Sequence, residues 1–355
     1  MPVSYEKLNT NTDITTTKTI LHEAIPLTGS IISGTYNDEN IKNYVHGMFQ
    51  SVYDYPYLSS SANHIFDLTV GYDESSPLSA STSTQNSKKI NLYNQMSQLL
   101  LGYTGSANKV RLFESDLKLD TTGSMKETFV VSLSRLLTKD QIKKGTVSMT
   151  FGLGTWANPH ATTMTLKDAN ASTTGEGTVN TIGGDYGVLY DATSSTSNET
   201  YSSSYGVIFY QAGIAVISSS LFTDISDFNS GSEVSSSTPD ALTFNQSIVS
   251  ASISGTCDAI RHRMTNVTFN NSTRINSTIY FCRMPINKFN YSSNPTYISD
   301  GKIVVKNTPV DNPVAYVTTI GLYNASNEML AVAKLSEPLK KTPSNELTIR
   351  VRLDY

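Results

Sequence analysis

Apolar residues in this chain recur mostly at every second position, the spacing that turns one face of a strand inward, and only once clearly at helical spacing. Phe129, Val131 and Leu133 alternate with Val130, Ser132 and Ser134. Val147, Met149, Phe151 and Leu153 repeat the pattern after residues 138–145, which read as one helical turn closed by Gly145. Together these runs predict a β-hairpin-like pair. Residues 65–72 predict another strand. Residues 186–190 and 205–210 are similar segments around a polar loop and predict a hairpin, the second running on into 213–217. Residues 248–253, 267–269 and 275–281 read as further β segments. Four more fill the C-terminal end, at 302–306, 314–323, 329–335 and 347–353. The loop Asn324 to Glu328 has hairpin length and composition, so the middle two should be antiparallel neighbours. In the last run Leu347, Ile349, Val351 and Leu353 point one way, towards a core. Arg350 and Arg352 point the other, towards solvent or a partner.

Helical spacing is clearest over 88–102, where Ile90, Tyr93, Ser97 and Leu100 share a face with Met96 and Leu99 alongside. Ser87 is placed to cap its start and Gly102 to stop it. Asn37, Asp38 and Glu39 could cap a short helix through Val45. Polar, turn-rich stretches at 73–87, 154–185 and 191–204 read as exposed loops, and 230–239 as a serine-rich linker. The expected organisation is an extended N-terminal arm (1–35), a β-rich domain with long loops (36–228) and a C-terminal antiparallel β domain (240–355). The expected fold class is mainly β, antiparallel and β-sandwich-like, with a few short helices and minor α+β character.

Composition sharpens this picture. Of 355 residues 38 % are hydrophobic and 16 % charged, both below the globular average, and 91 are Ser or Thr. Such a chain favours strands, turns and polar surfaces over long helices. Tyrosine (20) far outnumbers tryptophan (1), and its ring packs while its hydroxyl finds a partner, which suits half-buried strands and interfaces. Tyr53, Tyr55 and Tyr57, in the aromatic run 49–57, join Arg350 and Arg352 as candidate interface residues. A net charge of −4 with no run of five like charges argues against nucleic-acid contact. The N-terminus lacks a basic and apolar leader, and no apolar stretch is long enough to span a membrane, so synthesis and retention in a cytoplasm is the expectation. On that expectation the many Asn-x-Ser/Thr sequons, such as Asn266-Val-Thr and Asn276-Ser-Thr, are compositional. Cys257 and Cys282 match no paired metal motif and read as buried free thiols.

No motif supplies chemistry. His22, His46, His64, His160 and His262 form neither a HExxH pair nor a close cluster. There is no GxSxG and no Walker-A loop, and Cys257 comes without a recognisable His and Asn pattern and reads as a strand-edge packing residue. The sequence therefore nominates no catalytic, cofactor-binding or metal-ligating residue and implies a protein that is not an enzyme.

Several stretches do resemble a known group. Residues 289–297, 315–323, 330–338 and 350–355, together with 47–57, 90–96 and 207–213, resemble structural proteins of contractile-tailed bacteriophages related to the T4-like cyanophages. The resemblance implies a virion component of the tail, baseplate or neck region, made in the host bacterial cytoplasm. It also implies other virion proteins and copies of the chain as partners, in a symmetric homo-oligomer. A receptor- or glycan-binding tail module and a capsid decoration protein are the alternatives.

Overall fold

The computed structural model describes residues 5–27, 38–104, 109–118, 120–172, 182–192, 203–228, 240–290, 298–300, 302–303 and 314–355. It is mainly antiparallel β, with a 13-stranded sheet and, among the described residues, four short α-helices. The chain divides into two compact units, residues 21–273 and residues 1–20 with 274–355. This replaces the expected three-part division. Residues 1–20 group with the C-terminal segment instead of forming part of a separate arm, and the boundary falls at 273/274, inside the strand Met264–Met284. The serine-rich linker expected at 230–239 lies outside the described residues.

In the unit 21–273 the strands run, in order of hydrogen bonding, Ile41–Asn43, Gln50–Tyr53, His64–Tyr72, Glu127–Leu133, Ile214–Ser218, Ser204–Phe209, Tyr186–Asp191, Thr163–Lys167, Ser148–Gly152 and the first half of Met264–Met284. Phe129 lies on the fourth of these and Phe151 on the ninth. Five strand spacings in a flat sheet would hold them about 24 Å apart, yet their rings meet edge to face at 5.8 Å. The sheet is therefore rolled so that its two flanks face each other, which is how the sandwich-like expectation is realised. Phe222 and Phe244 fill the space between, at 5.9 Å and 6.2 Å from Phe129. Helices Phe244–Ser250 and Ile253–Arg263 contribute Ile248, Ile253, Cys257 and Ile260 to the same core. A second core on the opposite face collects Val130, Val188, Val207, Phe209 and Val216 with Tyr93 and Leu100.

Several expected elements are corrected. Strand Glu127–Leu133 pairs with His64–Tyr72 and Ile214–Ser218, not with Ser148–Gly152; the two alternating runs face each other across the roll instead. Residues 248–253 are helical or between helices, and Cys257 sits on a helix, not at a strand edge. The segment from Asp38 forms only the 3-10 turn Asp38–Asn40 before a strand. The expected turn at 138–145 lies earlier, as Arg135–Thr138, and the loop expected over 154–185 contains the strand Thr163–Lys167. The helix expected at 88–102 is observed as Asn86–Leu100, with Gly102 at φ +80 as its stop, but its N-cap is Gln85. The hairpin of residues 186–210 forms as expected, with Val188 opposite Val207.

In the unit 1–20 with 274–355, strand Leu347–Asp354 lies antiparallel to residues 277–284. Ile349 and Val351 are buried with Met284, Leu347 and Leu353 are half-buried, and Arg350 and Arg352 are exposed, as the alternation predicts. Ala315–Tyr323 and Met329–Lys341 form a separate two-stranded ribbon. It turns at Asn324, whose N–H donates to the Glu328 carbonyl at 3.0 Å. The expected strand at 302–306 is seen only as Lys302–Ile303, and its remainder lies outside the described residues.

Candidate interaction surfaces

The tyrosine group sits at one edge of the rolled sheet. Tyr53 ends its strand half-buried, while Tyr55 and Tyr57 are exposed on the following loop. That loop is held at both ends: Asn63 donates to Asp54 through its backbone (2.6 Å) and its amide (2.8 Å), and Tyr57 N–H donates to the Glu39 carbonyl at 2.9 Å. The ring of Tyr53 lies 6.3 Å from Tyr57 and 5.5 Å from His64. His64 Nε2 is 2.9 Å from Asp67, which also accepts from the Ser51 hydroxyl at 2.5 Å. This carboxylate raises the His64 pKa against the opposing pull of burial. Tyr44 stacks on His46 at 5.1 Å and tilts against Phe49 at 4.8 Å, with the Lys42 ammonium 4.9 Å above its ring. The sequence flagged three tyrosines; the structure sets the Tyr53 ring against Tyr57 and His64 and adds a second ring cluster of Tyr44, His46 and Phe49, an edge rich in rings with polar tips.

Arg350 and Arg352 share the exposed face of the last strand. Arg352 is held there by Asp354 at 2.7 Å and by the Ser277 hydroxyl at 2.9 Å, and hydrogen bonds from Ser277 and then Arg352 hold the Asp354 carboxyl below the usual range. The tyrosines and the arginines belong to different units.

The buried polar groups are tied into the framework. Lys89 is fully buried and donates to the carbonyls of Ile248 and Ala251 at the end of helix Phe244–Ser250. Asp168, also fully buried, accepts from the N–H groups of Gly145 and Val147, both at 2.8 Å, and from the Tyr210 hydroxyl at 2.7 Å. Burial nevertheless raises its pKa. Arg263 donates to the carbonyls of Gly152 (3.2 Å) and Gly154 (2.7 Å) and to Asp227 (3.1 Å), and lies over the Phe228 ring at 4.6 Å. His160 and His262, distant in sequence, both lie close enough to Arg263 for its charge to add to burial in lowering their pKa values. No group of three metal-ligating side chains occurs among the described residues. A cleft of about 730 Å³ is lined by Asp73, Glu74, Asn94, Arg111, Glu114 and Thr121 among others, with no histidine or cysteine in its wall. Cys257 is buried and Cys282 only half-buried, both as free thiols.

The ribbon of residues 315–341 is the feature the sequence did not single out as a surface. Its inward residues Val317, Ile320, Ala333 and Leu335 pack on Met284, Ile349 and Val351. Its outward side also carries large apolar side chains, set among Thr318, Thr319, Lys334 and Lys340: Tyr316, Tyr323, Leu330 and Val332 are 62 %, 43 %, 69 % and 56 % exposed. Tyr323 leans over Gly321, where a Cβ would come within 2.8 Å of its ring, and meets Tyr5 edge to face at 5.0 Å. A large apolar surface left open to water is the usual mark of a contact site. No protein-family model, curated protein or solved structure matches the chain.

Proposed function

We propose that the chain is a structural subunit of a tailed-phage virion, working in the tail, baseplate or neck region through protein–protein contacts and not by turning over a substrate. The observation that carries the contact role is the ribbon's outward side, with four large apolar side chains at least 43 % exposed. The tyrosine-rich sheet edge adds a second surface of interface composition. Lys89, Asp168 and Arg263, three of the fully buried ionisable groups, are bonded mostly to backbone carbonyls and N–H groups. The phage assignment itself rests on the sequence resemblance at residues 47–57, 90–96, 207–213, 289–297, 315–323, 330–338 and 350–355. Gold-labelled antibody against the purified chain, applied to intact particles and viewed by electron microscopy, should decorate the tail, baseplate or neck. Particles that carry no label, and whose protein bands lack the chain, would sink the proposal.

One observation favours a second reading, a receptor- or glycan-binding module. Tyr55 and Tyr57 are exposed beside Tyr53 and His64 on a clamped loop, and sugars stack on such rings. Saturation-transfer NMR with host-surface glycans would detect it, and loss of the signal in Tyr55→Ala would place it.

A further inference from the structure

The ribbon has two edges of different character. Strand Met329–Lys341 carries Lys334, Glu337, Pro338 and Lys340, and its register jumps from Lys334 opposite Thr319 to Leu339 opposite Val317. Charge, proline and a bulge are the devices by which a sheet edge is closed to further strands. Strand Ala315–Tyr323 shares the bulge, at Thr318 between Val317 and Thr319, but its nine residues, Ala-Tyr-Val-Thr-Thr-Ile-Gly-Leu-Tyr, carry neither charge nor proline. Among the described residues its only strand partner is Met329–Lys341, and no other backbone group bonds along its outer side. Among the described residues, an edge about 30 Å long at ~3.4 Å per residue is thus left with unpaired N–H and carbonyl groups.

We propose that this edge is a dimerisation strand: a second copy of the chain adds its own Ala315–Tyr323 antiparallel to the first, making one four-stranded sheet from two ribbons. The inference rests on the reading of the chain as an assembly subunit and names the surface that reading leaves open. The occupant follows from the chemistry of the edge. A strand without charge offers nothing to select a charged partner, whereas an identical strand is uncharged along its whole length and sets no like charges opposite each other. The asymmetry of the two edges sets the stoichiometry. Pairing of the open edge of one copy with the other edge of the next would propagate into a fibre, and Lys334, Pro338 and Lys340 oppose it. Open edge against open edge is isologous and closes at two.

Sedimentation of the full chain, with native mass spectrometry, tests this. The parent should be dimeric, and Thr319→Lys, made in a Lys334→Ser background so that no lysine lies opposite it within the ribbon, sets a lysine of each copy on the shared seam and should raise the dissociation constant by more than about tenfold while keeping the melting temperature of Lys334→Ser. Lys334→Ser, on the other edge, should leave the dimer intact. Should Thr319→Lys misfold, cross-linking decides: in a Cys282→Ser background, Thr319→Cys should join two copies through a short bis-maleimide and Lys334→Cys should not. A monomeric parent, a dimer indifferent to Thr319→Lys, cross-linking at position 334 alone, or open-ended polymers would each overturn the proposal. A monomer that nonetheless labels in particles would remove the dimer strand and keep the virion reading; a dimer absent from particles would do the reverse.

Discussion

Lys89 shows how a single charge can be a structural pin. Its ammonium reaches from helix Asn86–Leu100 to two carbonyls at the end of helix Phe244–Ser250, acceptors that a helix terminus leaves without intrahelical donors. Burial pushes its pKa down to about 8. Between that value and about 10.5 the unfolded chain holds a proton the folded one has released, so stability should rise with pH across this window. Lys89→Met should cost about 1–3 kcal/mol at pH 7, as the carbonyls lose their donor, and should abolish the rise; urea melts from pH 7 to 10.5 read both. His64 has the opposite sign. Its folded pKa is raised by Asp67, so its contribution is complete below the unfolded value near 6.5 and is lost as pH climbs through the folded one. In His64→Gln the difference in melting temperature between pH 5.5 and pH 8 should shrink relative to the parent. An unchanged difference would mean that the pair is idle. Neither role could be read from the sequence, where Lys89 looks like a solvated residue beside Lys88 and His64 stands three places from an aspartate in a strand.

At the scale of elements, docking of helix Asn86–Leu100 on strand His64–Tyr72 turns on Gly71. A Cβ there would lie 2.8 Å from the Lys89 carbonyl oxygen and 2.9 Å from the Tyr93 nitrogen, both backbone atoms that cannot swing aside. Gly71→Ala should therefore push the helix off the sheet and cost about 1–3 kcal/mol in chemical denaturation; a neutral result would show that the helix is free to shift. Arg350→Ala combined with Arg352→Ala should melt like the parent, because water screens exposed ion pairs such as that of Arg352 with Asp354 and leaves them little net stabilisation. If that face meets a partner, the double variant should assemble poorly while folding normally. Elements were legible wherever one face is wet: the last strand, the 186–210 hairpin and the helix near 90 all show their periods. Helices Phe244–Ser250 and Ile253–Arg263 were not, because their apolar residues are sparse and scattered among Ser, Thr and Asn. The usable signals were their caps: Thr243 and Gln246 form a capping box, and Ser252 accepts from the Gly255 N–H. The ribbon's open side was missed for the converse reason, since a strand apolar on both faces reads as interior.

On the scale of the whole molecule, linear composition concealed the organisation. The unit 1–20 with 274–355 is discontinuous in sequence, and the boundary cuts a strand whose residues show no change of character, so no linker announces it. The consequence is testable by truncation. Deleting residues 347–355 removes Leu347, Ile349, Val351 and Leu353, at about 1.5–3 kcal/mol for each buried chain, a sum comparable with the ~5–15 kcal/mol that holds a domain. Hydrogen exchange should then show protection lost over 274–284 and 315–341 but retained at Phe129 to Leu133, whose core is separate. A truncated chain that exchanges like the parent throughout would show the last strand to be dispensable. The roll has its own consequence, in time. Its hairpins join near neighbours, but the contact of Phe129 with Phe222 and the pairing of Ser148 with Thr268 close loops on the order of a hundred residues. Refolding should therefore lay down the local hairpins first and bring the two flanks together last and slowly, so that a ribosome must release nearly three-quarters of the chain before the aromatic interior can shut.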